Sequence, residues 1–118
     1  MVTLKLTGAQ LKKSLERGLV STVGMVAVSG VRVQFDRTKP GGQQIVSLTL
    51  LDGTPVEDSK LYSMTTNDFV VAGGDGFSEL GKGADIMDTG IFLRDVLVDY
   101  IKARRVLAPA TDGRVLVN

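Results

Sequence analysis

The sequence predicts one α+β domain spanning residues 1–118, with a mixed, mostly antiparallel sheet and two main amphipathic helices at about residues 8–18 and 90–104. Three observations carry that prediction. A chain of 118 residues suits a single compact domain. Its strand-like alternation gathers in the middle of the chain while the helical stripes lie apart from it, a pattern of segregated rather than alternating elements. Its 43% hydrophobic and 23% charged residues are ordinary globular values, so a disordered chain is excluded.

Residues 2–6, VTLKL, alternate and read as a short strand. Thr7 and Gln10 have the capping-box spacing, in which each side chain satisfies an orphan amide at a helix start. Leu11, Leu15 and Leu19 then recur on one face, with Lys12, Lys13, Glu16 and Arg17 on the other, where a solvated surface is expected. Gly18 stands where that helix is expected to end. Residues 23–28 are small and apolar, and VRVQF (31–35) alternates as a half-buried strand. Pro40-Gly41-Gly42 breaks regular structure, and QIVSLTLLDG (44–53) is a strand closing in an Asp52-Gly53 turn. LYSMTTN (61–67) is a third strand, and the three are expected to form an antiparallel meander. SELGKGADIMD (78–88) reads as a polar loop. In the second helix Ile91, Leu93, Leu97, Tyr100 and Ile101 are expected core contacts, with Asp88 or Thr89 as N-cap and Arg104-Arg105 facing the C-terminal dipole. Pro109 and Asp112-Gly113 mark turns before a last strand, RVLV (114–117).

Fourteen lysines and arginines against thirteen acids leave a net charge of +1, too small a field to hold a polyanion. No nucleic acid and no membrane surface is therefore expected as a partner. No apolar run approaches the ~20 residues of a membrane span, and no signal peptide is read in the opening residues. The chain has no cysteine, which removes disulfide and thiol chemistry, and no histidine, which removes the usual base and transition-metal ligand. Ser63, Thr65 and Thr66 have no imidazole to activate them, and Asp85 with Asp88 falls short of a calcium-loop pattern. No catalytic residue and no metal ligand is assigned.

The stretch NDFVVAGGDGF (67–77) is the candidate site. Gly73, Gly74 and Gly76 permit tight backbone turns and close approach. An aspartate among them repels phosphate, and no dinucleotide or Walker pattern is present, so the loop is not read as a phosphate cradle. Asp75 can accept hydrogen bonds from sugar hydroxyls, and Phe69 can stack on a flat ring. The competing reading makes Phe69 and Phe77 core plugs and Asp75 a turn cap.

Taken in order, LTGAQLKKSLERGL, VSGVRVQFD, the PGG turn, LLDGTPVEDSKLYSMTTNDFVVAGGDGF and TDGRV resemble the C-terminal domain of the 5′-nucleotidases, the family of the bacterial UDP-sugar hydrolase and the animal ecto-5′-nucleotidase. The resemblance covers residues 3–116, and its most specific piece is NDF-x₄-GGDGF between the LTG helix and DGR. It implies a parent whose N-terminal metallophosphoesterase-like domain holds two divalent metal ions and whose C-terminal domain supplies the nucleotide pocket. By the resemblance, Phe69 stacks on the base and Asp75 binds the ribose hydroxyls, while Gly73, Gly74 and Gly76 shape the loop.

The family's NGGGIR-type and PFGN-type segments precede the LTG helix and do not occur here. The chain thus resembles a fragment without the upstream half of that domain and without the metal domain. The expectations that follow are a nucleotide-recognition part of a 5′-nucleotidase-like phosphohydrolase, with no turnover and no cofactor of its own. Weak nucleotide or nucleoside binding, docking to the absent metallophosphoesterase domain, self-association over uncovered apolar surface, and an exported (periplasmic, cell-surface or secreted) parent complete them. The alternative is a non-catalytic structural or protein-interaction domain that keeps the fold without a working pocket.

Overall fold

The computed structural model describes residues 1–20 and 26–118. Strand β1 (Val2–Thr7) runs directly into helix α1 (Gly8–Val20). The capping box forms in full: the Thr7 amide donates to Gln10 Oε1 at 2.9 Å, and the Gln10 amide donates to Thr7 Oγ1 at 3.2 Å. Leu15 and Leu19 are buried, with Leu11 packed at their margin. The helix does not stop at Gly18 as expected but continues to Val20. Gly18 is a packing residue instead, since a Cβ there would lie 2.8 Å from Val26 Cβ and 3.1 Å from Phe77 Cζ. Residues 21–25, which include part of the expected 23–28 apolar run, lie outside the described residues.

The remaining elements are β2 (Val31–Phe35), β3 (Ile45–Leu50), β4 (Leu61–Thr66), α2 (Asp68–Val71), β5 (Ala84–Asp88), α3 (Leu93–Arg104) and β6 (Val115–Val117). They form two three-stranded sheets, ordered β4-β1-β5 and β3-β2-β6. The α+β class stands, but the meander does not. β2 and β3 pair as an antiparallel hairpin, β6 joins β2 in parallel, and β4 pairs instead with the distant β1. Alternation in a sequence states which face of a strand is buried and leaves its neighbour open. Here β4 sets Met64 opposite Leu4 and Tyr62 opposite Leu6, extending the apolar face of β1. The expected loop at 78–88 likewise contains a 3₁₀ turn, Leu80–Lys82, and then β5, whose five residues are all exposed and so carry no alternation to read.

Two small cores result. One joins Leu15 and Leu19 of α1 to Val33, Phe35, Leu48 and Val56. The other joins Leu4 and Leu6 of β1 to Leu80, with Met64, Val70, Val71 and Phe77 packed around them. Helix α1 touches a strand of each sheet, β1 and β3, and contributes to the first core directly.

Helix α3 departs most from expectation. It begins at Leu93 with Phe92 in the N-cap position and no side-chain cap. Asp88 and Thr89 form a turn before it, where Asp88 accepts from the Gly90 amide at 2.9 Å and Thr89 Oγ1 accepts from the Ile91 amide at 3.2 Å. Ile91, Leu93, Leu97, Tyr100 and Ile101, expected in the core, are all exposed, Leu93 by 58% and Leu97 by 53%. The stripe encodes a neighbour that no described residue of this chain supplies.

Candidate functional site

Strand β4 delivers the chain to Asn67, whose extended backbone (φ −94°, ψ 161°) and side chain cap the four-residue helix α2: Asn67 Oδ1 accepts from the Val70 amide at 3.0 Å. That short turn sorts its side chains. Val70 and Val71 point toward Leu4, Leu6 and Leu80, whereas Phe69 is 59% exposed. Gly73 then reverses the chain at φ 98°, and residues Gly74–Gly76 make a single 3₁₀ turn with Asp75 in the left-handed region at φ 55°. The amides of Gly76 and Phe77 donate to the carbonyls of Gly73 and Gly74, both at 3.2 Å, closing the turn. Phe77 leaves it inward and packs on the Leu4–Leu6 core.

Two of the glycines lie beneath side chains. A Cβ on Gly74 would lie 2.6 Å from Phe69 Cδ1 and closer still to Cε1, so the ring rests against bare backbone. A Cβ on Gly76 would lie 2.5 Å from Arg17 Nη2, and this glycine also has φ 78°. Phe69 and Asp75 therefore stand on one loop, the ring against Gly74 and the carboxylate one residue further on. Phe77 fits the reading as a packing residue and Phe69 does not. Among the described residues no group donates to the Asp75 carboxylate, so it does not cap the turn. Asp75, Asn67 and Val70 line a groove of about 960 Å³ that runs past β4 to residues 26–31, while Phe69 stands outside it.

The charged face of α1, expected to be solvated, is engaged. Lys13 Nζ lies 2.8 Å from Glu79 Oε1, and Lys82 Nζ lies 3.0 Å from the same oxygen. Glu79 is buried, and the bond from Lys13, then that from Lys82, holds its carboxyl below the usual glutamate range. Arg17 Nε donates to the Asp75 carbonyl at 3.0 Å. On the helix's other flank Glu16 accepts from the Gly42 amide and, at 3.2 Å, from the Gln44 amide. Arg17, Lys13 and Glu79 were missed as site-supporting residues in the sequence. The available signal was the i, i+4 spacing of Lys13 and Arg17, which puts both on one helical face.

Of the other candidates, Asp85 pairs with Lys5 at 2.8 Å and Asp88 is used in its turn. Among the described residues no three histidine, cysteine, aspartate or glutamate side chains converge. Ser63 and Thr65 lie on the exposed face of β4, across from Lys5 and Thr3.

The family model described as "5'-nucleotidase, C-terminal domain" matches residues 1–82. The chain is 34% identical over 115 residues to a 5'-nucleotidase of Diplobatis ommata, covering 92% of this chain and 20% of that protein. It is 29% identical over 123 residues to a snake venom 5'-nucleotidase of Macrovipera lebetinus, covering 95% of this chain and 30% of the relative. The crystal structure of a 5'-nucleotidase precursor from Thermus thermophilus superposes with a TM-score of 0.88 at 30% identity, over 98% of this chain and 24% of that one. The chain thus spans between a fifth and under a third of the length of these relatives.

The Lys13–Glu79–Lys82 cluster predicts an acid-sensitive hold on the loop. Because the folded carboxyl titrates below the unfolded one, its contribution is complete above the ordinary glutamate range near ~4.3 and is lost as the pH falls through the lower folded value. Unfolding monitored between pH 7 and pH 2 should therefore show Glu79→Gln less stable than wild type at neutral pH and the two converging in acid. Parallel curves across that range would rule the cluster out as a source of pH dependence.

Proposed function

The chain belongs to the 5′-nucleotidase C-terminal domain family, and from that membership we propose that it is the nucleotide-recognition part of a 5′-nucleotidase-like phosphohydrolase acting in nucleotide catabolism. The observation that carries this reading is the sorting of side chains in NDFVVAGGDGF. Val70, Val71 and Phe77 anchor the segment to the Leu4–Leu6 core, and Phe69 and Asp75 are turned to solvent from the same loop. An aromatic face held against Gly74 is a platform for a base. A carboxylate to which no described residue donates suits the two neighbouring hydroxyls of a ribose. Phe69 stacking the base and Asp75 binding the ribose is the assignment we make, with Gly73, Gly74 and Gly76 as loop-shaping residues.

In this reading the chain binds and orients the nucleoside, and hydrolysis belongs to the parent's N-terminal metallophosphoesterase domain, where two divalent ions would polarise the phosphate and supply the attacking hydroxide. Relatives named as venom enzymes and as a precursor support an exported parent. One stacking face, worth ~1–3 kcal/mol, and one exposed carboxylate do little more than offset the cost of association, so millimolar or weaker affinity is expected for the chain alone.

A proton–nitrogen NMR titration with adenosine and with AMP tests the assignment. Shifts confined to Phe69 and residues 73–77, similar for both ligands and abolished by Phe69→Ala and by Asp75→Ala, are expected. Phe69 is exposed, so Phe69→Ala should stay within ~0.5 kcal/mol of wild-type stability, whereas Asp75→Ala, which puts alanine in the left-handed region, is expected to cost up to about 1 kcal/mol. An unperturbed wild-type spectrum at tens of millimolar ligand would sink the assignment and leave a non-catalytic interaction domain as the better reading. Incubation of the chain with AMP and manganese, cobalt or zinc should release no phosphate above the metal-only control. Robust turnover abolished by a change within this chain would refute the division of labour between domains.

The uncovered stripe of α3 supports the interaction reading in one respect, and we propose that the isolated chain self-associates through it. An antiparallel pairing centred between Val98 and Asp99 would set Leu97 against Tyr100 of a second copy and Val96 against its Ile101, matching apolar to apolar. Sedimentation velocity should show a mass rising with concentration and restored to the monomer by Leu97→Glu. A clean monomer at high concentration would dismiss it.

A further inference from the structure

We propose that Arg17 is a positioning residue for the nucleoside loop, a backbone clamp that fixes Asp75 from behind and, among the described residues, leaves its carboxylate without a donor. The proposal rests on the reading of Asp75 as the sugar acceptor and adds the device that presents it.

Three observations converge on Arg17. Its Nε donates to the main-chain carbonyl of Asp75 at 3.0 Å. Its guanidinium lies directly over Gly76, so closely that any Cβ there would meet Nε at 2.7 Å and Nη2 at 2.5 Å. Among the described residues it forms no ion pair with any carboxylate, that of the adjacent Asp75 included. An arginine beside an aspartate ordinarily pairs with the side chain, in a two-pronged bond that would consume the acceptor a ligand needs. Here the same cation grips the peptide instead. The carbonyl it holds belongs to a non-glycine residue in the left-handed region, a conformation that persists when its surroundings over-determine it. That peptide plane is thereby held at its carbonyl by the guanidinium and at its amide, that of Gly76, by the Gly73 carbonyl.

The clamp is anchored in turn. Arg17 stands one turn beyond Lys13, whose bond to Glu79 fastens the segment just past the loop, and one residue before Gly18, against which Phe77 packs. Helix α1 thus touches the loop at three successive points, residues 75–76, 77 and 79, and Arg17 is the contact nearest the carboxylate.

Glutamine and methionine make the decisive pair of substitutions. Glutamine places its amide nitrogen at the same number of bonds from Cα as arginine Nε, so Arg17→Gln keeps a donor for the Asp75 carbonyl while removing the charge. Arg17→Met keeps the length and apolar stem and removes the donor. In the 118-residue chain, amide hydrogen exchange of Gly76, Phe77 and Ser78 without ligand and the dissociation constant for adenosine are measured for wild type and both variants. The expected result is faster exchange at those three amides and adenosine binding weakened about three- to tenfold in Arg17→Met, the effect of one lost hydrogen bond, with both largely restored in Arg17→Gln.

Exchange and affinity unchanged in Arg17→Met would overturn the proposal. Weakened binding with unchanged exchange would overturn it as well, because Arg17 would then act on the ligand and not through the loop. Faster exchange with unchanged affinity would also overturn it, by showing that the hold does not serve the site. Should wild type bind no adenosine, the nucleoside assignment fails by itself, and the exchange rates still decide whether Arg17 holds the turn.

Discussion

Helix α1 has to satisfy two neighbours at once, and the site depends on that constraint. Leu15 and Leu19 bury one stripe against β2 and β3, while Lys13 and Arg17, on an adjoining stripe, hold the segment that follows α2. The two stripes share one rigid cylinder, so the helix cannot rotate to improve one contact without straining the other. Its start is equally determined. The capping box closes the first turn, and the amides of Gly8 and Ala9 donate to the carbonyls of Lys60 and Asp58 at 3.0 and 3.1 Å. Those carbonyls stand at the entry to β4. The helix therefore fixes the segment from 58 to 79 at both ends, and the candidate site lies between the two attachments.

The loop itself turns selected side chains outward. A four-residue helix and a single 3₁₀ turn have few hydrogen bonds and no extended apolar face to anchor them. What holds them is the alternation of inward Val70, Val71 and Phe77 with outward Phe69 and Asp75. Left-handed backbone at a non-glycine residue is disfavoured by roughly 1–2 kcal/mol, less for aspartate, whose short polar side chain tolerates the region. The same geometry explains why Gly74 and Gly76 flank it: the Phe69 ring and the Arg17 guanidinium occupy the spaces where side chains would otherwise project.

Much of this was legible in the sequence wherever a local rule governs it. Thr7 and Gln10 announced the helix start through their spacing, Leu15 and Leu19 announced its buried face, and Asp52-Gly53 announced a turn that Gly53 takes at φ 89°. The NDF and GGDG pieces marked the candidate loop through the family resemblance, since a glycine-rich turn beside an aromatic is common in itself. Pairing partners were not legible, since Met64 and Tyr62 read as a buried face without stating that β1 lies beside them. Arg17 and Glu79 were hidden for a related reason. A charged helical face has the same pattern whether it meets water or a loop about sixty residues away, and the loop here offers a main-chain carbonyl, which leaves no trace in residue types.

Helix α3 shows the limit from the other direction. Its periodicity is as good as that of α1, with Leu93, Val96, Leu97, Tyr100 and Ile101 on one broad face, yet every residue of it is exposed. Periodicity is a statement about what a segment requires, and coverage depends on what else is in place. Burial of such a stripe stabilises by roughly 1.5–3 kcal/mol for each large side chain fully covered, an amount comparable with the whole stability of a small domain. A chain that leaves it open while two other cores are closed has kept a face suited to further polypeptide. The candidate loop is held from α1 by Arg17, Lys13 and Gly18, contacts that involve no residue of α3. Coverage of the stripe and the arrangement of the candidate loop thus rest on different contacts, and among the described residues they meet only where Leu93 lines the same groove as Asp75.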